Sequence, residues 1–530
     1  MPFTIETGVF LLAIIAGIAI AAQRLKTPPS ILLVLGGIIL ALTPGLPAVQ
    51  LDPDLVLLGL LPPIIYWAGV LTSWREFRFN LRPIVLLALG LVVFTTVAVA
   101  ATMHYVFAWP WAAAFLLGAI VSPPDAVAPI SIARPLGIPR RLLVVLEGEG
   151  VANDATALIL YRFAVAAIAV GVFSPVAAVG TFTAIILGEP AYGIAVGWAS
   201  LRLRRWVGEP RVELVLSMIT PFVAFWVPHE VGGSGVLATI AAGLYVSWRG
   251  PLLIPSRTRL QGIFFWDLLI YVIEGFLFLL TGLQARTLIE TATLASWVSL
   301  VAITAVTAAV LVLTRFVWVF PAAYLPRLLV PGLARRDPVP PWQQIFFLAF
   351  TGVRGAVPLA AALGIPLVLS DGTPFPYRTE ILAVTFGIII VTLIGTGLSV
   401  PAVVRWLRLA GYAVDERHRE REAERKARDE VLGLAQQRLR EIAADRMLSQ
   451  DVTDSLSSYH ESLRREVNGA ADGADDASFN VDLRRELIEA ERQHLHRMLA
   501  EGRITDESRR RIESELDLEE ATLSSRGETE

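Results

Sequence analysis

About thirteen apolar stretches follow one another through the first 410 residues of this 530-residue chain. A helix needs about 20 mostly apolar residues to cross the hydrocarbon core of a bilayer. The stretches lie near residues 5–22, 30–46, 54–72, 83–106, 111–133, 142–170, 174–201, 212–229, 233–248, 262–284, 293–324, 343–369 and 379–407. Because lipid offers backbone groups no hydrogen bonds, each stretch must be helical. The sequence therefore predicts an all-α, polytopic membrane protein of about thirteen transmembrane helices.

Basic residues fall in every second link between these predicted spans. The links concerned carry Arg24 and Lys26; Arg75, Arg78 and Arg82; Arg134, Arg140 and Arg141; Arg202, Arg204, Arg205 and Arg211; Arg249, Arg257 and Arg259; and Arg327, Arg335 and Arg336. The intervening links carry only Arg286 and Arg378. Because cytoplasmic loops of membrane proteins are enriched in Lys and Arg, the alternation supports the number of spans. It also predicts an external N-terminus and a cytoplasmic C-terminus.

Two of the predicted spans are interrupted near their middles. The fifth contains Ser122-Pro123-Pro124-Asp125-Ala126, and the twelfth contains Gly352-Val353-Arg354-Gly355-Ala356-Val357-Pro358. Proline removes a backbone donor and disfavours helix at the residue before it. If spans 1–6 and 8–13 are inverted repeats joined by the seventh, both breaks fall at the fifth helix of a repeat. Matching breaks in inverted halves indicate the midplane site of a transporter. The alternative is that Pro and Gly are simply common in membrane helices.

The sixth span carries three carboxylates and an amide, at Glu147, Glu149, Asp154 and Asn153. A charge at the bilayer centre costs at least about 2.5–3.5 kcal/mol, so such a residue indicates function. Burial favours the protonated form of a carboxyl group, and an ionised carboxylate suits a hard cation. Asp154 can therefore exchange a proton for a monovalent cation. The alternative is that Asp154 only pairs with an arginine elsewhere in the bundle.

Four other charged residues of the spans have functional and structural interpretations. Asp125, after the proline break, either coordinates a cation or caps the broken half-helix, and the two roles are compatible. Arg315 and Arg354 stay charged, so each needs a carboxylate or backbone carbonyls as partners. Arg315 alternatively extends its charge toward the membrane surface. Glu274 lies near the middle of the tenth span, where it either supports the site or is structural.

The chain changes character after Trp406. Charged residues with apolar ones at helical spacing predict a helix from Asp415 to Asp445 and another from Val481 to about Glu520. Between them, residues 468–476 are rich in Gly, Ala and Asp and predict a flexible link. We therefore divide the chain into a transmembrane domain, residues 1–410, and a cytosolic helical tail, residues 411–530. The tail contains no kinase, nucleotide-binding or DNA-binding motif.

Several classes of function are disfavoured by the residues present. The chain has no cysteine, which excludes disulfides, thiol catalysis and thiolate metal sites. No Ser/His/Asp, metal or phosphate-loop pattern appears, so we predict neither an enzyme nor a cofactor, and no nucleic-acid partner. A cation channel is a rival, but channels usually have a symmetric filter and need no titrating carboxylate. A membrane sensor that signals through the tail is the remaining rival.

Three motifs together resemble those of a known family. Glu149-Gly150-Val151-Ala152-Asn153-Asp154 resembles the Glu/Ser/Asn-Asp signature of the sodium/proton exchangers, the electroneutral branch of the monovalent cation:proton antiporters. Val121 to Ala128 is similar to that family's fifth-helix crossing, and Gly352 to Pro358 is similar to its Gly-x-Arg-Gly-Ala-Val segment. Ser234 to Ala238 and Leu51 to Phe77 also resemble it. The resemblance covers roughly residues 5–410.

The resemblance implies a homodimer in which a core domain moves like an elevator against a dimerisation domain. It implies that Asp154 binds Na⁺ or a proton, never both, and that Asp125 and the backbone around Pro124 contribute at the crossing. Asn153 would stabilise the site, and its presence in place of a second Asp favours electroneutral, one-for-one exchange. Glu149 would pair with Arg315, with Arg354 nearby in the core; Thr156 and Glu274 are candidate supporting positions.

The chain departs from the family pattern at three positions. Gly150 stands where many relatives have Ser, Pro124 where many have Thr, and Trp67 where several have a carboxylate. Ion discrimination depends on ligand number and cavity size, so the choice between Na⁺ and K⁺ stays open. We predict a secondary Na⁺/H⁺ antiporter of the bacterial inner membrane, serving pH and sodium homeostasis, with K⁺ and Li⁺ as further candidate substrates. The alternative is a K⁺-preferring antiporter with the same machinery.

Overall fold

The structure is a computed structural model that describes residues 5–25, 28–43, 55–170, 175–286, 294–330, 335, 337–369, 371–445, 454, 457–458 and 481–527. By backbone contacts the chain divides into two compact units. The first comprises Met1–Leu253 and Phe265–Ala410, and the second comprises Ile254–Phe264 and Gly411–Glu530. Residues 254–264, which the sequence assigns to the transmembrane domain, thus cluster with the tail. The predicted flexible link at 468–476 lies outside the described residues.

The regular elements of the described residues are helices, with one isolated bridge between Val368 and Pro374. In the first part of the chain they are α1 (Ile5–Leu25), α2 (Pro29–Leu42), α3 (Leu61–Leu71), α4 (Trp74–Phe79), α5 (Leu81–Val85), α6 (Val92–Phe107), α7 (Trp111–Val121), α8 (Val127–Ala133), α9 (Arg140–Val170) and α10 (Pro175–Val207). Then follow α11 (Pro210–Glu230), α12 (Val236–Leu253), α13 (Ser256–Leu283), α14 (Leu294–Leu329), α15 (Trp342–Phe350), α16 (Ala356–Leu363), α17 (Arg378–Trp406), α18 (Leu409–Asp445), α19 (Val481–Glu501) and α20 (Asp506–Gly527). Leu55–Leu60 and Leu86–Leu91 are π-helical and precede α3 and α6.

The prediction of an all-α polytopic membrane protein is confirmed. Nine helices of the described residues are long and apolar enough to cross a bilayer, and three shorter apolar helices accompany them. The fifth predicted span is interrupted between Val121, where α7 ends, and Val127, where α8 begins. The twelfth is interrupted between Phe350, the end of α15, and Ala356, the start of α16. Both interruptions coincide with the Pro- and Gly-rich segments of the sequence.

Helices α3, α10, α11 and α12 pack into one group, with α12 at its centre. The backbones of α10 and α12 touch at Gly193, where an added Cβ would lie 2.0 Å from the carbonyl oxygen of Ala238. On the other side of α12, a Cβ at Gly243 would lie 2.5 Å from the carbonyl oxygen of Tyr66 in α3. Since side chains are excluded at both crossings, these helices pack backbone against backbone. We call these four helices the α12 group.

Helices α6, α7, α9, α14 and α17 form a second group, and α8, α15 and α16 of the two interrupted spans pack against it. Here α7 touches α6 at Gly118, where a Cβ would lie 2.6 Å from the carbonyl oxygen of Thr96. The apolar core of this group includes the fully buried Val99, Leu116 and Ile388. We call it the α9 group, because α9 carries the sixth-span carboxylates.

Asp337 joins three elements of the first unit at one end of the bundle. Its carboxylate accepts hydrogen bonds from Arg82 of α5, from Arg141 of α9 at 2.6 Å, and from Arg327 of α14 at 2.8 Å. Burial alone would raise the pKa of Asp337, but the hydrogen bonds and charges of Arg141 and Arg327 outweigh it and hold the pKa below its usual value. The ion cluster therefore stabilises the folded state when Asp337 is ionised.

In the second unit, α18, α19 and α20 bury an apolar core that includes Val431, Leu495 and Ile512. Charged side chains are buried beside it. Arg484 is fully buried and bonds to Glu491 at 2.7 Å and to Glu519 at 2.6 Å. Because a buried charge needs a partner of opposite sign, these pairs constrain how the helices of this unit pack.

We expect Asp337→Asn to lower the free energy of unfolding by roughly 1–3 kcal/mol, since three arginines then lose a charged acceptor. The pKa of Asp337 is lower in the folded state, so its contribution is present above about pH 4 and is lost as the pH falls through the folded value. Thermal unfolding of the detergent-purified protein at pH 7, and at a pH well below 4 where Asp337 is protonated in both states, measures both effects. Glu380→Gln, at an exposed position in the first turn of α17, is the control and should be nearly silent. An unchanged melting temperature at pH 7 in Asp337→Asn would contradict the assignment.

Candidate functional site

The two interrupted spans meet through their backbones. The amide of Asp125, between α7 and α8, donates a hydrogen bond of 2.7 Å to the carbonyl of Val353, between α15 and α16. Two residues later in the second break, Gly355 lies against the Asp125 side chain, and an added Cβ would be 2.5 Å from Oδ2. Non-helical backbone at membrane depth is tolerated only where protein or water satisfies it. Each break thus helps to satisfy the other.

Arg354 satisfies the carbonyls at the end of α7. This buried guanidinium donates from Nε to Val121 O at 2.9 Å, from Nη2 to Ser122 O at 3.2 Å, and from Nη1 to Gly352 O. The last carbonyls of a helix have no partner within it and carry partial negative charge, which a cation stabilises. Of the two kinds of partner that the sequence left open for Arg354, the structure places backbone carbonyls at hydrogen-bonding distance.

Glu149 of α9 and Arg315 of α14 are brought together by the fold. Arg315 Nη1 and Nη2 donate to the two Glu149 oxygens at 2.5 and 2.9 Å, and both side chains are almost fully buried. Arg315 Nε also donates to the carbonyl of Leu348 at 3.1 Å. A bidentate pair of this kind neutralises both charges and fixes their geometry. Glu149 is therefore charge-compensated, which leaves it unsuited to binding a cation.

Asp154 lies one turn further along α9 and lines a small pocket at the crossing. The pocket is bounded by Ala119, Ile120, Pro123, Asp154, Ala157, Leu158, Tyr161, Val357, Pro358 and Ala361. It has room for about one particle of the size of water. In the described part of the chain, the structure shows no hydrogen bond or ion pair to the Asp154 carboxylate. The alternative of a paired arginine is thus not what the described residues show.

Asn153 connects α9 to the first break. Its Nδ2 donates a hydrogen bond of 2.7 Å to the carbonyl of Pro124, and the residue is completely buried. Its Oδ1 has no hydrogen-bond partner among the residues that the structure describes. Because an unsatisfied buried acceptor is costly, this oxygen is a candidate contact for a proton donor or a cation. Thr156, by contrast, directs its hydroxyl to the carbonyl of Ala152 on its own helix, at 3.5 Å.

Two other carboxylates lie within electrostatic range of Asp125. Asp125 interacts electrostatically with Asp154 and also with Glu274 of α13, which is half-buried. Asp125 is thus the carboxylate that interacts with both of the others. The structure brings together all the predicted ion-binding positions, namely Asp154, Asp125, Asn153 and Pro124, and sets the pair Glu149–Arg315 one turn away.

Sequence reasoning found no role for Glu189, and the structure supplies one. Its carboxylate accepts hydrogen bonds from the amides of Ser234 and Gly235, at 2.5 and 3.0 Å, and from the Ser234 hydroxyl at 2.9 Å. These groups precede α12, so Glu189 satisfies the free amides at the start of that helix. Sequence analysis assigned Ser234 to Ala238 only to the family resemblance, and Glu189, 45 residues before Ser234, gave no local signal of this contact.

Trp67, one of the three departures from the family pattern, has defined side-chain contacts in the structure. Its indole donates a hydrogen bond of 3.1 Å to Asp267 Oδ1 and stacks on Trp266, with ring centroids 5.6 Å apart. Trp266 in turn donates to Ser217 Oγ at 2.8 Å. Trp67 is therefore committed to contacts between α3 and α13, and it offers no oxygen to a cation.

Comparison with known proteins agrees with this geometry. The family of transmembrane sodium/hydrogen exchangers matches residues 10–406. An uncharacterised Na⁺/H⁺ exchanger of Mycobacterium bovis is 34% identical over 97% of this chain and 96% of its own length. A sodium, potassium, lithium and rubidium/H⁺ antiporter of Bacillus pumilus is 31% identical over 74% of this chain and 60% of its own. A Na⁺/H⁺ antiporter of Aphanothece halophytica is 30% identical over 81% of this chain and 80% of its own.

Among solved structures, the sodium proton antiporter of Methanocaldococcus jannaschii at pH 8 superposes with a TM-score of 0.57. It covers 77% of this chain and 98% of its own, at 19% identity, so the likeness concerns the fold. The family is one of transporters and not of enzymes, which confirms the prediction on that point. From the crossing of two broken helices and the match over residues 10–406, this chain belongs to the sodium/proton exchangers of the monovalent cation:proton antiporter family.

Proposed function

We propose that this protein is a secondary active Na⁺/H⁺ antiporter in which Asp154 binds the cation and the proton in turn. One observation carries the proposal. Asp154 lines a pocket at the crossing and has no hydrogen bond or ion pair within the described residues, whereas the neighbouring Glu149, Arg315 and Arg354 are all bonded. Only a carboxylate without a resident partner is available to a mobile ion.

Competition at Asp154 couples the two ions. An ionised Asp154, with Asp125 and backbone oxygens near Pro124, suits a hard monovalent cation. Protonation of Asp154 removes the charge that attracts the cation, so each ion must leave before the other binds. Asn153, beside it, is neutral in both states and holds the Pro124 carbonyl at 2.7 Å. A single exchanging charge gives one-for-one, electroneutral exchange.

Alternating access requires Asp154 to face one side of the membrane at a time. The α12 group and the α9 group each pack internally through close backbone contacts. Between them, Leu158 and Ala155 of α9 meet Phe225 and Val236 in a mainly apolar cluster. A mainly apolar interface has few polar bonds to break when it slides, which supports elevator-like movement of one group against the other. Arg162 of α9 also contacts His229 of α11, so this contact must break during the movement.

The oligomeric state, the membrane, the topology and the physiological role are proposed from the family resemblance and the sequence. We propose a homodimer in a bacterial inner membrane, with an external N-terminus, a cytoplasmic tail at 411–530 and a role in pH and sodium homeostasis. A second candidate is a K⁺-preferring antiporter. It is favoured by Trp67, whose bonded indole leaves no carboxylate at its position. The relative from Bacillus pumilus, whose name includes potassium and lithium, supports testing those ions.

We expect Asp154→Asn to reduce exchange to below about 1% of wild type, because the neutral amide neither attracts a cation nor releases a proton. Proteoliposomes that contain a pH-sensitive dye, challenged with NaCl, KCl or LiCl, measure exchange and also distinguish the two candidates. Asp371→Asn is a matched control, since Asp371 is exposed and bonds only locally to Thr373. Undiminished exchange in folded Asp154→Asn would refute the assignment, and a membrane potential that grows with transport would refute electroneutrality.

We expect Arg315→Ala to destabilise the protein by about 3–5 kcal/mol, because it leaves Glu149 charged and buried. The double variant Arg315→Ala/Glu149→Ala should recover part of that loss. Thermal unfolding of the three proteins gives the coupling energy. Arg134→Ala is the control. Arg134 pairs with Glu147, which like Glu149 lies on α9, but Arg134 is largely exposed, so the substitution should cost less than about 1 kcal/mol. If the double variant shows no recovery, Arg315 has a role other than neutralising Glu149.

A further inference from the structure

Gly150 of α9 touches the first break where it carries Ala126. A Cβ added at Gly150 would lie 2.6 Å from the Ala126 Cβ and 3.4 Å from its amide nitrogen. Real Cβ atoms essentially never approach within 3.0 Å, so any residue but glycine would displace the break. The two sides of this contact adjoin the ion site. Gly150 lies one helical turn before Asp154, on the same face of α9, and Ala126 directly follows Asp125.

Asp125 is also restrained by the second break. A Cβ at Gly355 would lie 2.5 Å from Asp125 Oδ2 and 2.9 Å from its Cβ. Gly355 itself has little freedom, because the preceding Arg354 is bonded to the carbonyls of Val121 and Ser122. The amide of Asp125 is meanwhile bonded to Val353 at 2.7 Å. The Asp125–Ala126 dipeptide is therefore fixed by contacts with both α9 and the twelfth-span break.

We propose that Gly150 is a positioning residue that sets the separation of Asp125 from Asp154 and thereby determines which monovalent cation the site prefers. The inference rests on the proposed antiport function. Discrimination among cations of one charge depends on the size of the cavity and the number of oxygens that reach the ion. With glycine at 150 the first break packs directly against α9. The backbone of Asp125 is then held as near to α9 as this contact allows, and in this proposal the resulting site suits the smaller Na⁺ or Li⁺ better than K⁺.

A methyl group at position 150 has a predictable direction of effect. It must push Ala126, and with it Asp125, away from α9, which widens the space between the carboxylates. A wider site favours the larger K⁺. Removing the Ala126 methyl makes room for the methyl group that Gly150→Ala adds. The variant Gly150→Ala/Ala126→Gly therefore moves one methyl across the contact without changing how many methyl groups fill it.

The test measures the apparent KM for Na⁺, K⁺ and Li⁺ in proteoliposomes for five proteins: wild type, Gly150→Ala, Ala126→Gly, the double variant and Gly148→Ala. We expect Gly150→Ala to raise the ratio of the Na⁺ KM to the K⁺ KM roughly tenfold, the low end of what one methylene of space does in a close-fitting site. The maximal rate should change much less, and the double variant should return the ratio to within about twofold of wild type. Gly148→Ala, on the same helix as Gly150, is the control, because the nearest atoms to a Cβ there belong to the Ile84 side chain of α5 and not to either break.

The outcomes separate this inference from the proposed function. An unchanged ratio in folded Gly150→Ala, or an altered ratio that Ala126→Gly does not restore, would overturn the inference while leaving antiport intact. Wild-type protein that exchanges none of the three cations would contradict the proposed function as well. If Gly150→Ala does not fold, Ala126→Gly alone decides. Removing that methyl frees Asp125 to move, so the preference between Na⁺ and K⁺ should shrink, and an unchanged preference would refute the positioning role.

Discussion

The structure of the site depends on how Arg354 bonds to the end of α7. Breaking a membrane helix frees backbone carbonyls in a region without water, and each costs several kcal/mol if it stays unbonded. Arg354 donates to Val121 O and Ser122 O, and its own charge is stabilised there by the partial negative charge of the helix end. The same residue holds the second break against the first, next to the Asp125–Val353 hydrogen bond. One side chain thus makes both interruptions tolerable.

The distribution of charge around the crossing depends on the hydrogen bonds of Arg354 to the end of α7. Since Arg354 is engaged with carbonyls, it does not neutralise Asp154. Arg315 is likewise engaged, through its bidentate pair with Glu149. Both arginines therefore have committed partners, and the proposed mechanism uses the Asp154 carboxylate, to which the described residues make no ion pair. Adding a third arginine or removing Glu149 would change this balance more than any change in the apolar walls of the pocket.

The sequence was sufficient to predict the features that are local in the chain. Hydropathy predicted the helices, and Pro123-Pro124 and the glycines beside Arg354 predicted where two of them break. Features that join distant positions were less accessible. That Arg354 takes carbonyl partners rather than a carboxylate, and that Glu189 bonds to the start of α12, depend on which elements the fold brings together. Sequence periodicity defines the face on which a residue lies, but it does not identify what packs against that face.

Gly150 illustrates the same limit and shows why a departure from a family pattern is informative. Judged from sequence, glycine in place of serine only removes a hydroxyl from the neighbourhood of Asp154. In the structure it also allows α9 to approach Ala126 so closely that no side chain fits between them. A lost oxygen ligand weakens a cation site, whereas closer carboxylates strengthen its electrostatic attraction. The two effects oppose each other, so under the proposed role of Gly150 the ion preference depends on the backbone separation at this one contact and not on the number of oxygen ligands alone.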